Sequence, residues 1–222
     1  MIDPLSNFDW TSLHAEYDRK CLVSSRFKPE APALRCFSAP PQSDRSLYYA
    51  LMEMVASERA DGTLMTLECY AAAVYWKMYS TSPKVNNDIA RESDIRDILE
   101  SKLRTFARFP SWLPKNVHEV LNMVNQVLEL NLYGTGLPVC TTVLHYLYPD
   151  TVPIFDQMVL RAVGFDREDV KKRRLNQSTT LYQQYLGHHW DMVDKYAEEV
   201  EHLRESPVRA VEMALWVSRG NE

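Results

Sequence analysis

The chain has 222 residues and a mass of 25.8 kDa, enough for one large core, and its 45% of hydrophobic and 25% of charged residues exclude extensive disorder. A formal net charge of −5 argues against a nonspecific nucleic-acid coat, although not against a local basic face. No apolar run approaches the roughly 20 residues of a membrane span, and the first ten residues do not resemble a secretion signal. We therefore expect a cytoplasmic protein with no membrane partner.

The first 45 residues are interrupted by prolines and predict one short helix, over DWTSLHAEYDRK, capped by Asp9 or Thr11. Two longer helices follow. The first, SDRSLYYALMEMVASERADG, begins with capping residues and stops at Gly62, and the second, TLECYAAAVYWKMYSTSP, stops at Pro83.

Two amphipathic helices come next, because apolar residues recur at intervals of three and four. Their apolar stripes are Ile95, Ile98, Leu99, Leu103 and Phe106 in the first, and Val117, Val120, Leu121, Val124 and Leu128 in the second.

Pro138 suits the first turn of a further helix, which we expect to run to about Tyr148. An extended stretch then leads to Asp156 and to a short helix that ends at Gly164. Two closing helices follow, STTLYQQYLGHHWDMVDKYAEEVEHL and SPVRAVEMALWVSRG, the second with Ser206 as its cap. Because no segment alternates as a strand does and no repeat is present, the sequence predicts an all-α fold.

Metal ligation is not indicated by the cysteines and histidines. Cys21, Cys36, Cys69 and Cys140 are widely separated and predict reduced, mostly buried thiols. His188 and His189 are adjacent, so on a helix they project about 100° apart and make a poor ligand pair. We expect no protein-chelated metal.

The stretch LYGTGLPV, residues 132–139, places Gly134 and Gly136 on either side of Thr135, between two helices. A turn of this kind leaves backbone N–H groups pointing one way at a helix N-terminus, which suits a phosphate oxygen. A tight turn between helices also requires glycine for steric reasons alone, so the stretch by itself leaves both alternatives open.

Residues 132–164 together resemble the helix-hairpin-helix DNA glycosylase superfamily, whose members carry a Gly-x-Gly hairpin, a helix, and an extended stretch that ends in a catalytic aspartate. Gly134 and Gly136 match the hairpin glycines, and Asp156, twenty residues after Gly136, matches the aspartate. Val159, Arg161 and Gly164 fall where the family's Asp-x-x-Val-x-Arg helix and its terminal glycine lie.

The resemblance implies a single glycosylase-like unit over residues 1–222, in which two helical subdomains flank a cleft. One subdomain would span residues 45–148 and end in the hairpin. The other would combine residues 1–44 with 149–222 and carry the aspartate. The family's iron–sulfur cysteines are missing, and Pro138 stands where bifunctional members place a lysine that attacks the sugar. The resemblance therefore implies a monofunctional enzyme without lyase activity.

In that family the residue matching Asp156 stabilises the sugar cation as the glycosidic bond breaks, although aspartate is also a favoured helix N-cap. The resemblance also implies double-stranded DNA with a flipped base as the partner. Hairpin backbone contacts to phosphate would come from Gly134, Thr135, Gly136, Leu137 and Val139. No cofactor is implied beyond a monovalent cation at the hairpin, in the stretch from Leu132 to Gly136.

Basic and aromatic side chains supply further candidates. The segment 161–174 has a net charge of +3 and is either a solvated loop or an edge that follows phosphates. Its candidate contacts are Arg161, Lys171, Lys172, Arg173 and Arg174. Lys77, Lys102, Arg104 and Arg108 are candidates for the opposite wall, with a water-facing helix surface as the alternative for the last three. The candidate base pocket comprises Tyr75, Trp76, Lys77 and Tyr133, with Tyr70, Tyr79 and Trp112 as further stacking faces, although aromatic residues at helical spacing are usually core.

Three hypotheses follow from the sequence. The leading one is a monofunctional DNA glycosylase that leaves an abasic site, with the identity of the base open. The second is a catalytically inactive helix-hairpin-helix module that binds DNA within a larger repair or defence assembly. The third is a protein-interaction domain in which the glycines and Asp156 serve only as turn and cap residues.

Overall fold

The computed structural model describes residues 2–22, 27–62, 65–78, 93–104, 109, 114, 116–132, 136–165 and 179–219. These residues form ten α-helices and two short 3-10 helices, with no strand among them, which confirms the all-α prediction. None of the described helices combines the length and apolar character of a membrane span.

The 3-10 helices are Trp10–Ser12 and Pro32–Leu34. The α-helices, in chain order, are α1 (Leu13–Leu22), α2 (Asp44–Ala60), α3 (Leu67–Met78), α4 (Ser93–Leu103), α5 (Val117–Glu129), α6 (Leu137–Leu147), α7 (Gln157–Ala162), α8 (Thr179–Lys195), α9 (Ala197–Val200) and α10 (Pro207–Ser218).

Local capping sets most of these boundaries. Ser43 caps α2 in a reciprocal capping box with Ser46, and Ser206 caps α10 by accepting from the Arg209 N–H. Gly62 follows α2 with a φ of +78°, a left-handed conformation that favours glycine. These observations confirm the predicted caps of α2 and α10 and the predicted stop at Gly62. The sequence could predict them because each depends only on residues that are close in the chain.

Three helices form the centre of the core. Most residues of α3, α6 and α10 are buried, and in α3 they are Leu67 and the run from Cys69 to Trp76. Helix α3 packs against α2 and α6, while α10 packs against α1, α7 and α8. The amphipathic α5 buries Val120 and Val124 against α6, as its stripe predicts.

The chain departs from the predicted pattern near Tyr196. One closing helix was expected before Ser206, but the chain leaves α8 there and forms the separate α9. The Tyr196 ring packs against Trp10, and its hydroxyl donates to Asp3 at 2.8 Å, so contacts with the N-terminal segment hold this break.

Other predictions are met in part. In the first amphipathic stripe Leu99 and Leu103 are buried, whereas the side chains of Ile95, Ile98 and Phe106 lie outside the described residues, as does the predicted stop at Pro83. The thiols of Cys69 and Cys140 are buried and free, and Cys21 and Cys36 are half-buried. The division into two subdomains stays a prediction.

Candidate active site

An extended segment carries the chain from α6 to Asp156 without a strand partner among the described residues. Side chains therefore satisfy its backbone groups. The Phe155 N–H donates to Thr141 Oγ1 at 2.9 Å, and the Tyr182 hydroxyl donates to the Pro153 carbonyl at 3.0 Å. These buried bonds fix the position from which Asp156 emerges.

Asp156 is the N-cap of α7. The sequence predicts this role as the alternative to a catalytic one. Its backbone is extended, with φ −129° and ψ 133°, and its Oδ1 accepts the Met158 N–H at 2.7 Å. The other carboxylate oxygen is not used by the cap. Gly164 follows α7 with a φ of +92°, where the sequence places the end of the short helix.

The second oxygen of Asp156 is bound by Lys77, a residue 79 positions earlier in the chain. Lys77 Nζ donates to Asp156 Oδ2 at 2.8 Å, and the two side chains are only 11% and 23% exposed. Burial raises the pKa of Asp156, but the Lys77 ammonium, the Met158 N–H and the Arg219 charge together lower it by more, so the pKa lies below its ordinary value. Asp156 is therefore ionised at neutral pH.

This ion pair lies in a pocket where α1, α2, α3, α7 and α10 meet. Its lining residues are Tyr17, Cys21, Asp44, Trp76, Lys77, Asp156, Arg209, Glu212 and Trp216. Two indole rings, a phenol ring and a thiol thus share the pocket with three acidic and two basic side chains. Polar side chains outnumber apolar ones in this lining, which makes the pocket more polar than most small-molecule sites.

The pocket encloses about 80 Å³. That is about half of the roughly 150 Å³ in which an engineered apolar cavity takes up benzene. A nucleobase therefore fits only after a side chain moves. The lining residues that are half-buried, and not fully buried, are Cys21, Lys77, Asp156 and Trp216.

Behind the ion pair lies a buried polar network. Arg209 donates to Glu212 at 2.6 Å and to the Tyr17 hydroxyl at 2.8 Å, and that hydroxyl donates to Asp44 at 2.9 Å. The Arg209 guanidinium also lies 5.0 Å from the Trp76 ring centroid. Its Nε is buried with no hydrogen-bond partner among the described residues.

The network changes the titration of its members. Burial raises the pKa of Glu212, and the positive charges of Arg209 and Lys77 offset only part of this effect. Burial also raises the pKa of Tyr17, which stays a neutral donor to Asp44. The back of the pocket is therefore a set of hydrogen-bonded groups in which burial disfavours the charged forms of Glu212 and Tyr17.

Of the four residues predicted for the base pocket, the structure brings two to it. Trp76 and Lys77 line the pocket. Tyr75 is buried on the next position of α3, and its hydroxyl accepts from the Lys28 N–H at 2.7 Å instead. Tyr133 lies outside the described residues.

Of the hairpin stretch 132–139, the structure describes Leu132, which is buried, and the residues from Gly136 onward. Gly136 is the N-cap of α6 with φ −104° and ψ 177°, an extended conformation, and as a glycine it has no side chain with which to cap this helix end. The side chains of Leu137 and Val139 are buried, so only their backbone groups are left for a ligand. Arg161 is half-buried on α7, where its Nη1 lies 3.9 Å from Met158 Sδ.

The other predicted DNA contacts fall outside the described part of the chain. They are Gly134 and Thr135 in the hairpin, and Lys171, Lys172, Arg173 and Arg174 in the basic segment. Arg108, Tyr79 and Trp112 also lie outside it. Lys102 is described and donates to the Asn131 carbonyl at 3.1 Å, Arg104 is exposed, and Tyr70 is buried in the core.

No motif in the sequence singles out Arg209 and Glu212. One pattern in the sequence pointed to them: both charges sit three residues apart within VRAVEMALW, an otherwise apolar helix. Charged residues on a buried helical face must be paired, so such a pair marks a polar site in the core. Tyr17 and Asp44 gave no comparable indication.

Within the described ranges, no cluster of three or more His, Cys, Asp or Glu side chains has the arrangement of a metal site. His189 instead bonds the Val208 carbonyl, and His188 bonds the Ile2 carbonyl. In comparisons with known proteins, no family model, no curated protein and no solved structure matches this chain.

Proposed function

We propose that this protein is a DNA glycosylase, which breaks the N-glycosidic bond of a damaged or modified base in double-stranded DNA and leaves an abasic site. The observation that carries the proposal is the position of Asp156. Its ionised carboxylate opens a helix and faces a pocket walled by Trp76 and Trp216, at the chain position that resembles the family's catalytic aspartate.

The chemistry of base release suits such a group. As the bond between sugar and base weakens, positive charge builds up on the sugar ring, and a fixed carboxylate stabilises that charge in a site poor in water. Oδ1 and Oδ2 of Asp156 each accept one bond from the protein, from Met158 and Lys77. Each oxygen has a further acceptor position, so Asp156 is also able to orient an attacking water.

The aromatic side chains that line the pocket suit the binding of a nucleobase. An extruded base loses a few kcal/mol of stacking and pairing, which contacts inside the enzyme must replace. Trp76 and Trp216 present indole rings for such contacts, and the Arg209 and Glu212 side chains behind them offer donors and acceptors for a base edge. In this proposal the N-terminus of α6, at Gly136, holds a phosphate of the same strand.

The test is base release from duplex oligonucleotides that each carry one modified base: oxidised, N-alkylated, deaminated, mismatched or bulky. Abasic sites are revealed by strand scission in hot alkali under single-turnover conditions. We expect Asp156→Asn to lower the rate by roughly 10²-fold or more, the usual size of one electrostatic transition-state contribution. Asn is also a good N-cap, so the variant keeps the fold.

Asp150→Asn is the matched control, because Asp150 is an exposed aspartate six positions earlier and lies outside the pocket. Its rate is expected to stay within about twofold of wild type. Equal rates for the wild type and Asp156→Asn would remove the catalytic role. Salt-sensitive duplex binding without base release from any substrate would favour the inactive DNA-binding module, and no duplex binding at all would favour the interaction domain.

A further inference from the structure

We propose that Arg209 determines which bases the pocket accepts, because its Nε–H donates to a carbonyl oxygen on the ring of the bound base. Bases that carry such an oxygen are selected, and bases with an amino group or a hydrogen at that position are rejected. This inference rests on the proposed function, since it names the class of base that the same pocket takes.

The Nε–H of Arg209 is a buried donor without an acceptor. In the part of the chain that the structure describes, two buried side-chain atoms lack a hydrogen-bond partner, Arg209 Nε and the Tyr146 hydroxyl, and of these two residues Arg209 lines the pocket. Buried polar groups in folded proteins are nearly always bonded, because an unmatched donor has lost the water that it binds in the unfolded chain. A donor of this kind in a pocket wall indicates that a ligand supplies the acceptor.

The protein holds the rest of the guanidinium in place. Nη1 donates to Glu212 and Nη2 donates to the Tyr17 hydroxyl, and Arg209 is only 2% exposed. Because a guanidinium is planar and rigid, these two bonds also fix the direction of the Nε–H. The donor is therefore oriented before a base enters, and no side-chain freedom of Arg209 is lost when the base binds.

The neighbouring aromatic rings do not replace the missing acceptor. The guanidinium carbon of Arg209 lies 4.8 Å from the ring centroid of Tyr48 and 5.0 Å from that of Trp76. Rings at these distances attract the positive charge of the guanidinium. A ring is a weak acceptor for an N–H group, however, so an oxygen atom is the better partner for Nε.

The charges of the pocket favour a neutral oxygen over an anionic one. Three acidic side chains line it against two basic ones, so a carboxylate or phosphate would add to an excess of formal negative charge. The acidic residues are Asp44, Asp156 and Glu212, and the basic residues are Lys77 and Arg209.

The shape of the pocket favours an oxygen attached to the base ring over a nitrogen within the ring. Arg209 Nε is closed off from solvent, and the pocket encloses about 80 Å³. A carbonyl oxygen projects beyond the edge of its ring, so it reaches into such a recess when the pocket opens for a base. An amino group at the same place would set two donors against each other.

The experiment measures the binding of free bases to the full chain by equilibrium dialysis. Hypoxanthine is compared with purine, and uracil with pyrimidine, because the first member of each pair has a ring carbonyl that the second lacks. We expect wild type to bind the oxo member of at least one pair at least about tenfold more tightly, the usual effect of one hydrogen bond from a charged donor. Equal affinities within both pairs, or no binding of either oxo base, would overturn the proposal.

Arg209→Lys tests the donor atom itself, because a lysine keeps a positive charge near Glu212 but has a methylene where arginine has Nε. Its preference for the oxo base should fall below about threefold. Arg204→Lys is the matched control, because Arg204 is exposed, pairs with Glu53 and stacks on Tyr49 outside the pocket. It should keep the wild-type preference. An undiminished preference in Arg209→Lys would contradict the proposal and leave water as the partner of Nε.

A measurement on wild type keeps the test decisive even if Arg209→Lys folds poorly. In isotope-labelled protein the Nε–H of Arg209 gives its own nuclear magnetic resonance signal. That proton resonance should move downfield when an oxo base binds, because a carbonyl acceptor deshields the proton that it accepts. An unchanged resonance at a saturating concentration of oxo base would show that Nε does not bind the base.

Free bases make this test independent of base release. A preference for oxo bases that depends on Arg209, with no base release from any modified duplex, would overturn the glycosylase proposal and leave the selectivity of the pocket. Base release from a duplex, together with equal affinities within both pairs of free bases, would do the reverse.

Discussion

Two buried histidines should make this fold sensitive to mild acid. His145 donates from Nδ1 to the Val152 carbonyl at 2.7 Å and accepts the Tyr48 hydroxyl on Nε2 at 2.9 Å, so its ring is neutral. Burial, assisted by the Arg209 cation, lowers the pKa of His145 to about 3. Burial likewise lowers the pKa of His189 to about 4, although its bond to the Val208 carbonyl acts in the opposite direction.

The direction of the effect follows from proton binding. An unfolded histidine has a pKa of about 6.5, so below that pH the unfolded chain binds protons that the folded chain does not. The contribution of the two histidines to stability is therefore fully present above about pH 6.5, and it is lost as the pH falls toward the folded pKa values. At pH 5, about 1.5 units below the unfolded pKa, each histidine lowers the free energy of unfolding by about 2 kcal/mol, at about 1.36 kcal/mol per unit. The two histidines together lower it by about 4 kcal/mol.

The assay is urea unfolding at pH 8 and pH 5, followed by tryptophan fluorescence. His145→Gln replaces the ring with a neutral group that has both a donor and an acceptor. We expect this variant to lose less stability than wild type between the two pH values, by about 2 kcal/mol. His118→Gln, at an exposed position on α5, should keep the wild-type difference.

An identical pH dependence for wild type and His145→Gln would refute the reasoning, because it would mean that His145 binds a proton equally well in both states. Comparing variants is necessary, since burial raises the pKa of Glu212 and this group acts in the opposite sense. Asp156, whose pKa lies below its ordinary value, loses its contribution only at lower pH.

Two further predictions concern stability, and the same unfolding assay measures both. Gly187→Ala should raise the free energy of unfolding by up to about 1 kcal/mol, because the position lies within α8 and has open space around it. Gly164→Ala should lower it by about 1 to 2 kcal/mol, because φ is +92° and a Cβ would lie 3.3 Å from Ile2. Equal effects of the two substitutions would contradict this reasoning. Arg209→Met should cost about 3 kcal/mol or more by leaving Glu212 buried without its partner, and adding Glu212→Gln should restore part of the loss; no recovery would contradict this.

Much of the fold was determined by local sequence. The ends of α2, α7 and α10 follow from Ser43, Asp156 and Ser206, and the apolar periodicity of α5 predicts the face that it buries. These features could be read in advance because a cap or a periodic stripe depends on residues within a few positions of each other. The choice of Asp156 as a candidate residue rests on the same local pattern.

The pocket was decided by tertiary packing. Lys77 and Asp156 are 79 positions apart, and whether they meet depends on how α3 and α7 pack around α10 and α6. The same packing turns Trp76 into the pocket and Tyr75 away from it, although both are buried aromatic residues on one helix. Sequence periodicity identifies a buried face, but it does not say which neighbour that face meets, so the partner of Asp156 and the Arg209–Glu212 pair behind it became visible only in the folded chain.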